Sequence, residues 1–342
     1  MSNASLCPLC GGSNGCANLN DVKVSDCWCM TSPIPASALA QLPAASRGKS
    51  CICPNCAERY QQLDEGRAEV NSDLNEGSGV VVVEPSALEN IDAESSLHEK
   101  ASLGRVLRIG ILNADDVRDE LSSEFGEYPR MFEQVLGQAA LDLGIGIHFQ
   151  SWNVHRGEYP QSLDLLDGFV ITGSKHSVYD DEAWIRRLGQ FVETLHLQRK
   201  KLVGICFGHQ LVAHQLGGRT AKSDQGWIIG RQTAHFTQDC EFGEKGESFN
   251  LLSSHQDQVL VAPANAQILA QTDFCPISMM KIDSHILTVQ SHPEFSVGYA
   301  EPLYGLRQAS FAPELYRAAQ ASLMLPLDRV KVSRWLLEFL IH

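Results

Sequence analysis

The residues Gly204-Ile205-Cys206-Phe207-Gly208-His209-Gln210 follow directly on Arg199-Lys200-Lys201-Leu202-Val203, a run that starts basic and ends apolar. Together they read as a strand that turns abruptly into a helix, with Cys206 at the corner. Gly204 and Gly208 flank that corner, and small residues there let the backbone take a strained turn that exposes one side chain. The following helix directs free N–H groups and the positive end of its dipole at the sulfur. A helix N-terminus and a nearby histidine favour the thiolate, which is the nucleophilic form of cysteine. An isolated cysteine at a strand end is usually a core residue; the two flanking glycines are what set Cys206 apart.

A nucleophilic cysteine needs a base and a group that orients it. Both are offered 86 residues later in Ser291-His292-Pro293-Glu294-Phe295. The preceding His285-Ile286-Leu287-Thr288-Val289-Gln290 has the β-branched, apolar content of a buried strand, so His292 emerges at a strand end, where α/β sheets place their sites. A carboxylate at Glu294 accepts the second imidazole N–H, fixes the tautomer and stabilises the imidazolium that forms when the thiol proton moves. His209, His214, His235, His255 and His285 compete for the same role. A third buried strand, Leu166-Asp167-Gly168-Phe169-Val170-Ile171-Thr172, opens into the turn Gly173-Ser174. Backbone N–H groups there, with that of Phe207, are candidate donors to a developing oxyanion.

The surrounding sequence agrees with a parallel crossover. Val106 to Leu112 and Ile145 to Phe149 are short strand candidates, and Tyr128 to Leu143 between them has helical spacing. Trp184, Leu188, Phe191 and Leu195 make an apolar helical stripe, with Asp180 or Asp181 as the expected N-cap. Val330 to Ile341, carrying Trp335, Leu336, Phe339 and Leu340, reads as a closing helix.

In order and spacing, Gly173-Ser174, the heptapeptide around Cys206, Ser254-His255-Gln256-Asp257 and His292-Pro293-Glu294 resemble the class I, triad-type glutamine amidotransferase domains over about Arg105 to Phe295. The loop Gly173 to Asp181 followed by Ala183-Trp184-Ile185 is most similar to the stand-alone branch that holds γ-glutamyl peptidases and GMP-synthase-like amidotransferases. The resemblance implies an α/β, doubly wound, mostly parallel flavodoxin-like sheet. It implies a triad of Cys206, His292 and Glu294, and oxyanion donors at Gly173 and Phe207. It further implies that Ser174, Gln210 and the backbone of Ser254, His255 and Gln256 help to hold a glutamine or γ-glutamyl group. Ser291 stands where many relatives have glycine.

The first 60 residues are a different kind of unit. Eight of eleven cysteines fall there, and Cys7-Pro8-Leu9-Cys10 and Cys53-Pro54-Asn55-Cys56 are two C-P-x-C turns whose thiolates can converge on one tetrahedral ion. Cys16, Cys27, Cys29 and Cys51 are the candidates for a second site. No basic and apolar leader opens the chain, so a cytosolic, reducing setting is expected, where zinc rather than disulfides staples a small unit. Cys27-Trp28-Cys29 with its flanking cysteine pairs resembles the small cysteine-rich CWC family. From Gln61 to Lys100, ten acidic residues stand against Arg67 and Lys100, giving a local charge of −8 out of a net −14. That composition reads as a self-repelling tether in which Val80 to Val83 form at most a brief edge strand. The expected organisation is therefore a cysteine-rich module over 1–60, a linker over 61–103 and an amidotransferase-like domain over 104–342.

The acidic balance argues against nucleic-acid binding, which needs a basic footprint, and no apolar run is long enough to span a membrane. Arg47-Gly48-Lys49-Ser50 imitates the end of a P-loop, but Pro43 stands in place of the first glycine and no strand and helix flank it. Three readings follow: a hydrolase or peptidase acting alone on γ-glutamyl amides, a glutaminase subunit feeding ammonia to a separate synthetase chain, and a non-catalytic scaffold or sensor that docks through its zinc module.

Overall fold

The computed structural model describes residues 7, 34, 51–54, 57 and 106–342. Cys10, Cys16, Cys27, Cys29, Cys56 and the Val80–Val83 segment lie outside the described residues. The chain divides into two units, Met1–Asp92 and Ala93–His342. In the first, Cys7, Ile52, Cys53 and Ala57 are buried, and the Ala57 N–H donates to the Cys53 carbonyl at 3.1 Å.

The second unit is built on one nine-stranded sheet. Its parallel half comprises β1 (Leu107–Asn113), β2 (Ile147–Asn153), β3 (Gly168–Ile171), β4 (Lys201–Ile205) and, from much later in the chain, β11 (Ile286–Val289). The helices between are α1 (Asp119–Phe125), α2 (Tyr128–Leu143), α3 (Ala183–Leu197) and α4 (Phe207–Gln215). The predicted helix over Tyr128 to Leu143 is found with those bounds, closed by Gly144 at φ 67° in the left-handed region that a helix C-terminus favours. Strands β3, β4 and β11 are buried along nearly their whole length, as strands covered on both faces must be.

The two faces are covered differently. On one, Phe132, Val135, Leu136 and Ala139 of α2 pack with Leu336, Leu337 and Leu340 of α7 (Arg329–Ile341), the expected closing helix. On the other, α3 and α4 pack Ile185, Leu188, Val192, Leu195, Leu211 and Val212 against Phe169, Ile171 and Leu202. The α3 stripe is shifted from the sequence reading: Leu188 and Leu195 are buried as expected, while Trp184 and Phe191 are only partly buried and Ile185 and Val192 complete the face. Its N-cap is Glu182, with no side-chain cap bond; of the two expected caps, Asp180 accepts the Ser177 N–H at 2.9 Å and Asp181 pairs with Arg186.

Between α4 and β11 the chain makes an antiparallel wing that the sequence did not announce. It comprises β5 (Arg219–Lys222), β6 (Ile228–Phe236), β7 (Ser248–His255), β8 (Asp257–Val261), β9 (Ala266–Gln271) and β10 (Met279–Ile282). The main sheet runs β2-β1-β3-β4-β11-β10-β9-β6-β7, and β5 pairs with β8 apart from it. After β11 follow α5 (Val297–Leu306) and α6 (Pro313–Ser322).

The β4-to-α4 corner is tight. A Cβ on Gly208 would stand 2.6 Å from the Ile171 carbonyl oxygen and 2.8 Å from its Cβ, and one on Gly204 would stand 2.7 Å from the Gly208 carbonyl. Gly208→Ala should therefore destabilise the fold by about 1–3 kcal/mol, although alanine is the better helix former by about 1 kcal/mol. Urea unfolding checks this; an unchanged midpoint would mean that the corner relaxes at no cost.

Candidate active site

Cys206 sits between β4 and α4 at φ 51°, ψ −100°, a conformation that non-glycine residues rarely hold. Two hydrogen bonds over-determine it: its N–H donates to Val289 O on β11 at 2.9 Å, and its carbonyl accepts from the Gln210 N–H at 3.0 Å. Phe207, the first residue of α4, stacks on Trp184 with centroids 5.6 Å apart. The corner is thus gripped from β11 on one side and from α3 on the other.

His292 lies just beyond β11, next to β4 in the sheet, so the parallel pairing delivers it to the same end as Cys206. Its Nδ1 meets Glu294 Oε1 at 2.7 Å, and both side chains are buried. That leaves Nε2 for the Cys206 sulfur, with which the ring also interacts. Phe295 stacks on the imidazole at 3.9 Å, nearly parallel to it. A Cβ on Gly173 would stand 3.0 Å from His292 Cε1 and 3.7 Å from Cys206 Cβ. The predicted Gly173, Cys206, His292 and Glu294 are therefore one cluster. Arg329, the first residue of α7, clamps the segment by donating to the carbonyls of Pro293 and Glu294, each at 2.9 Å. Sequence reasoning missed this residue, since nothing near it resembles a motif.

The remaining predicted residues lie around that cluster. The Phe207 N–H opens a helix and has no intrahelical partner; among the described residues no backbone acceptor takes the Gly173 N–H. Ser174 Oγ accepts from the His176 N–H at 3.2 Å. Gln210 is buried, with its amide donating to Asp257 O at 2.7 Å and Gln290 Oε1 at 3.2 Å, so its NH₂ is spent within the fold. Gln256 O accepts from the Ser223 N–H. Along β7 the backbone alternates between the β6 ladder and the open edge. Asn250 faces out, exchanging bonds with Asp328. Leu252 faces out, its carbonyl accepting the His292 N–H at 2.8 Å. The alternation then turns the Ser254 backbone to the same edge and that of His255 into the ladder opposite Ile228. Ser291 pairs its hydroxyl with that of Ser253 at 2.8 Å, which accommodates a serine at that position.

A family model described as glutamine amidotransferase class-I matches residues 129–304, and one described as cysteine-rich CWC matches residues 7–58. The chain belongs to the class I glutamine amidotransferase family, with a CWC-type segment ahead of the domain. Gamma-glutamyl peptidase 2 of Arabidopsis thaliana is 28% identical over 201 residues, covering 56% of this chain and 77% of that one. Gamma-glutamyl peptidase 4 of the same plant is 34% identical over 180 residues, covering 50% and 69%. In fold, the chain is similar to a glutamine amidotransferase from Thermotoga maritima, with a TM-score of 0.54 at 17% identity over 70% of this chain and 97% of that one.

The competing histidines separate on environment. His214 and His235 are exposed. His285 sits at the start of β11, bonded to His196 at 2.9 Å and so at the opposite end of the strands from His292. His209 is fully buried, its Nε2 on Ile277 O at 3.0 Å and its Nδ1 on Thr288 Oγ1 at 2.7 Å; burial drives it down to about 3. His255 is driven down to about 3 by burial and then by the neighbouring His292, and neither of its ring nitrogens has a hydrogen-bond partner among the described residues. His292 goes the other way. Burial opposes its charge, but Glu294 and the Cys206 sulfur outweigh burial and push it up to about 10.

These shifts carry opposite signs for stability. His292 stays charged below its ordinary value in both folded and unfolded chains, so its contribution is complete in acid and fades as pH rises from about 6.5 to about 10. His209 and His255 stay neutral in the fold while the unfolded chain takes up protons, so stability falls as pH drops from about 6.5 toward 3. Each neutral histidine should contribute a slope of about 1.4 kcal/mol per pH unit in that window. His209→Gln should flatten the acid limb of a plot of unfolding free energy against pH by that amount; an unaltered slope would show that His209 is charged in the fold.

Proposed function

We propose that this chain hydrolyses or transfers γ-glutamyl amides through a γ-glutamyl thioester on Cys206. The observation that carries this reading is the strained Cys206 set against a His292 whose other nitrogen is held by the buried Glu294. The Cys206 sulfur attacks the γ-carbonyl carbon, and the N–H groups of Gly173 and Phe207 receive the oxyanion. His292 Nε2 then gives its proton to the departing amine as the C–N bond breaks. A water, deprotonated by His292, attacks the thioester and releases glutamate and the thiol; an amine in place of water gives transfer. Glu294 keeps the imidazole oriented and offsets its charge. The likeness to the γ-glutamyl peptidases supports a hydrolase and a γ-glutamyl substrate.

The purified chain should release glutamate from glutamine or from γ-glutamyl peptides. Cys206→Ala and His292→Ala should each lower turnover by on the order of 10⁴-fold, with the double variant scarcely worse. Glu294→Gln should cost less than either. Preferential labelling of Cys240 or Cys275 by a glutamine-like chloroketone would overturn the choice of nucleophile. Activity that appears only with cell extract would favour a glutaminase subunit that serves a separate synthetase.

For the rest of the chain, the reading is a zinc module over 1–60, an acidic linker over 61–103 and the catalytic domain over 104–342, in a cytosolic protein. Among the described residues no helix is long and apolar enough to cross a membrane. Zinc fits the two donors of the first site that are described: Cys7 and Cys53, one from each C-P-x-C turn, are both buried, and paired thiolates suit that ion. Cys10 and Cys56 would complete the first site, and Cys16, Cys27, Cys29 and Cys51 a second. The ion's part there is structural, since a unit so small buries too little apolar surface to fold unaided. Protein purified without added metal should contain zinc that a Cys7→Ser, Cys53→Ser variant loses, with γ-glutamyl turnover unchanged. Metal-free protein with an ordered N-terminal unit and reduced thiols would sink this assignment.

A further inference from the structure

Arg307 follows the last turn of α5 and is partly buried beside the site. Its Nη1 donates to Ser254 Oγ at 3.0 Å, and its guanidinium lies over the Trp227 ring, 4.4 Å from the centroid. Among the described residues no carboxylate forms an ion pair with it, and that one bond uses one of its five N–H donors. Burial lowers its affinity for its proton, and Tyr128, then Cys206, then Tyr299 act in the other direction, which sets it next to the cluster. Withdrawing a guanidinium from water without an anionic partner is unfavourable, so this is a cation held ready for an anion.

The position says which anion. Ser254 is two residues along β7 from Leu252, whose carbonyl holds the His292 N–H, and two residues of strand span about 7 Å. In a γ-glutamyl group, four C–C bonds separate the scissile carbonyl carbon from the α-carboxylate carbon, about 5 Å when extended. A substrate with its carbonyl at Cys206 and its chain along the open edge of β7 brings its α-carboxylate to the guanidinium. We propose that Arg307, steadied by Trp227 and Ser254, is the α-carboxylate subsite, and that it restricts this enzyme to amides whose acyl group is a free α-amino acid. This rests on the γ-glutamyl reading above and assigns the residue that enforces it. Arg307 does not touch the reacting atoms; it is a specificity residue.

The test compares two anilides that differ only in that carboxylate, L-γ-glutamyl-p-nitroanilide and 4-aminobutanoyl-p-nitroanilide, alongside calorimetric binding of L-glutamate and 4-aminobutanoate. The wild-type chain should favour the carboxylate-bearing member of each pair by about 10- to 100-fold, the range for a hydrogen-bonded charge pair. In Arg307→Gln that preference should collapse toward unity through loss on the carboxylate-bearing member alone. Arg307→Lys, which keeps the charge and loses the planar fork, should fall between. Loss of a purely structural brace would slow both anilides alike, so an unchanged preference in folded Arg307→Gln overturns the subsite. If neither anilide is cleaved but glutamate binding still depends on Arg307, the subsite stands and the hydrolase reading falls. Absence of any preference in the wild-type chain overturns the subsite outright.

Discussion

The pairing of β4 with β11 is the constraint on which the site depends. These strands are separated by the entire antiparallel wing, yet Leu202, Val203, Gly204 and Ile205 lie in parallel register with Ile286, Leu287, Thr288 and Val289. Because they are parallel, both chains leave the sheet at the same end, one carrying Cys206 and the other His292. A one-residue slip would turn every buried side chain of β11 to the wrong face. It would also move the Val289 carbonyl that holds the Cys206 N–H. The strain at Cys206 is thus stabilised by the same ladder that brings His292 to its end of the sheet.

Around that ladder, helices fix what the strands only position. Tyr304 of α5 accepts the Gly230 N–H at 3.1 Å and donates to the Ser253 carbonyl at 2.7 Å, bridging β6 and β7 where Gly230 departs from strand geometry at φ 80°. Arg329 of α7 holds the Pro293 and Glu294 carbonyls, so the carboxylate behind His292 is aimed by a helix from the end of the chain. These contacts place the imidazole by rigid elements, the condition for a pre-organised site.

What the sequence disclosed followed the strength of local signals. Glycines flanking a cysteine, a His-Pro-Glu after an apolar strand and a 16-residue amphipathic helix are each encoded within one element, and they were legible. The wing was not, because its strands lack a clean period-two pattern: Arg219 to Lys222 is polar at three of four positions, and even the nine-residue β6 interrupts its apolar residues with Gly230-Arg231-Gln232-Thr233. The offset of the α3 stripe arose because Trp184 is drawn toward Phe207 instead of into the core. Arg307 and Arg329 were invisible for a different reason: a surface arginine and a site arginine look the same until the fold shows what each one touches.

The outer strand of the sheet has one more consequence. An exposed edge invites another chain to pair with it, and proteins cover such edges to avoid aggregation. Here the covering is done residue by residue, Asp328 at Asn250 and the backbone of His292 at Leu252. The segment that carries His292 and Glu294 is therefore also the stopper of the β-sheet. Damage that dislodges it would bare a strand, so in this fold a loss of chemistry and a loss of solubility share one structural origin.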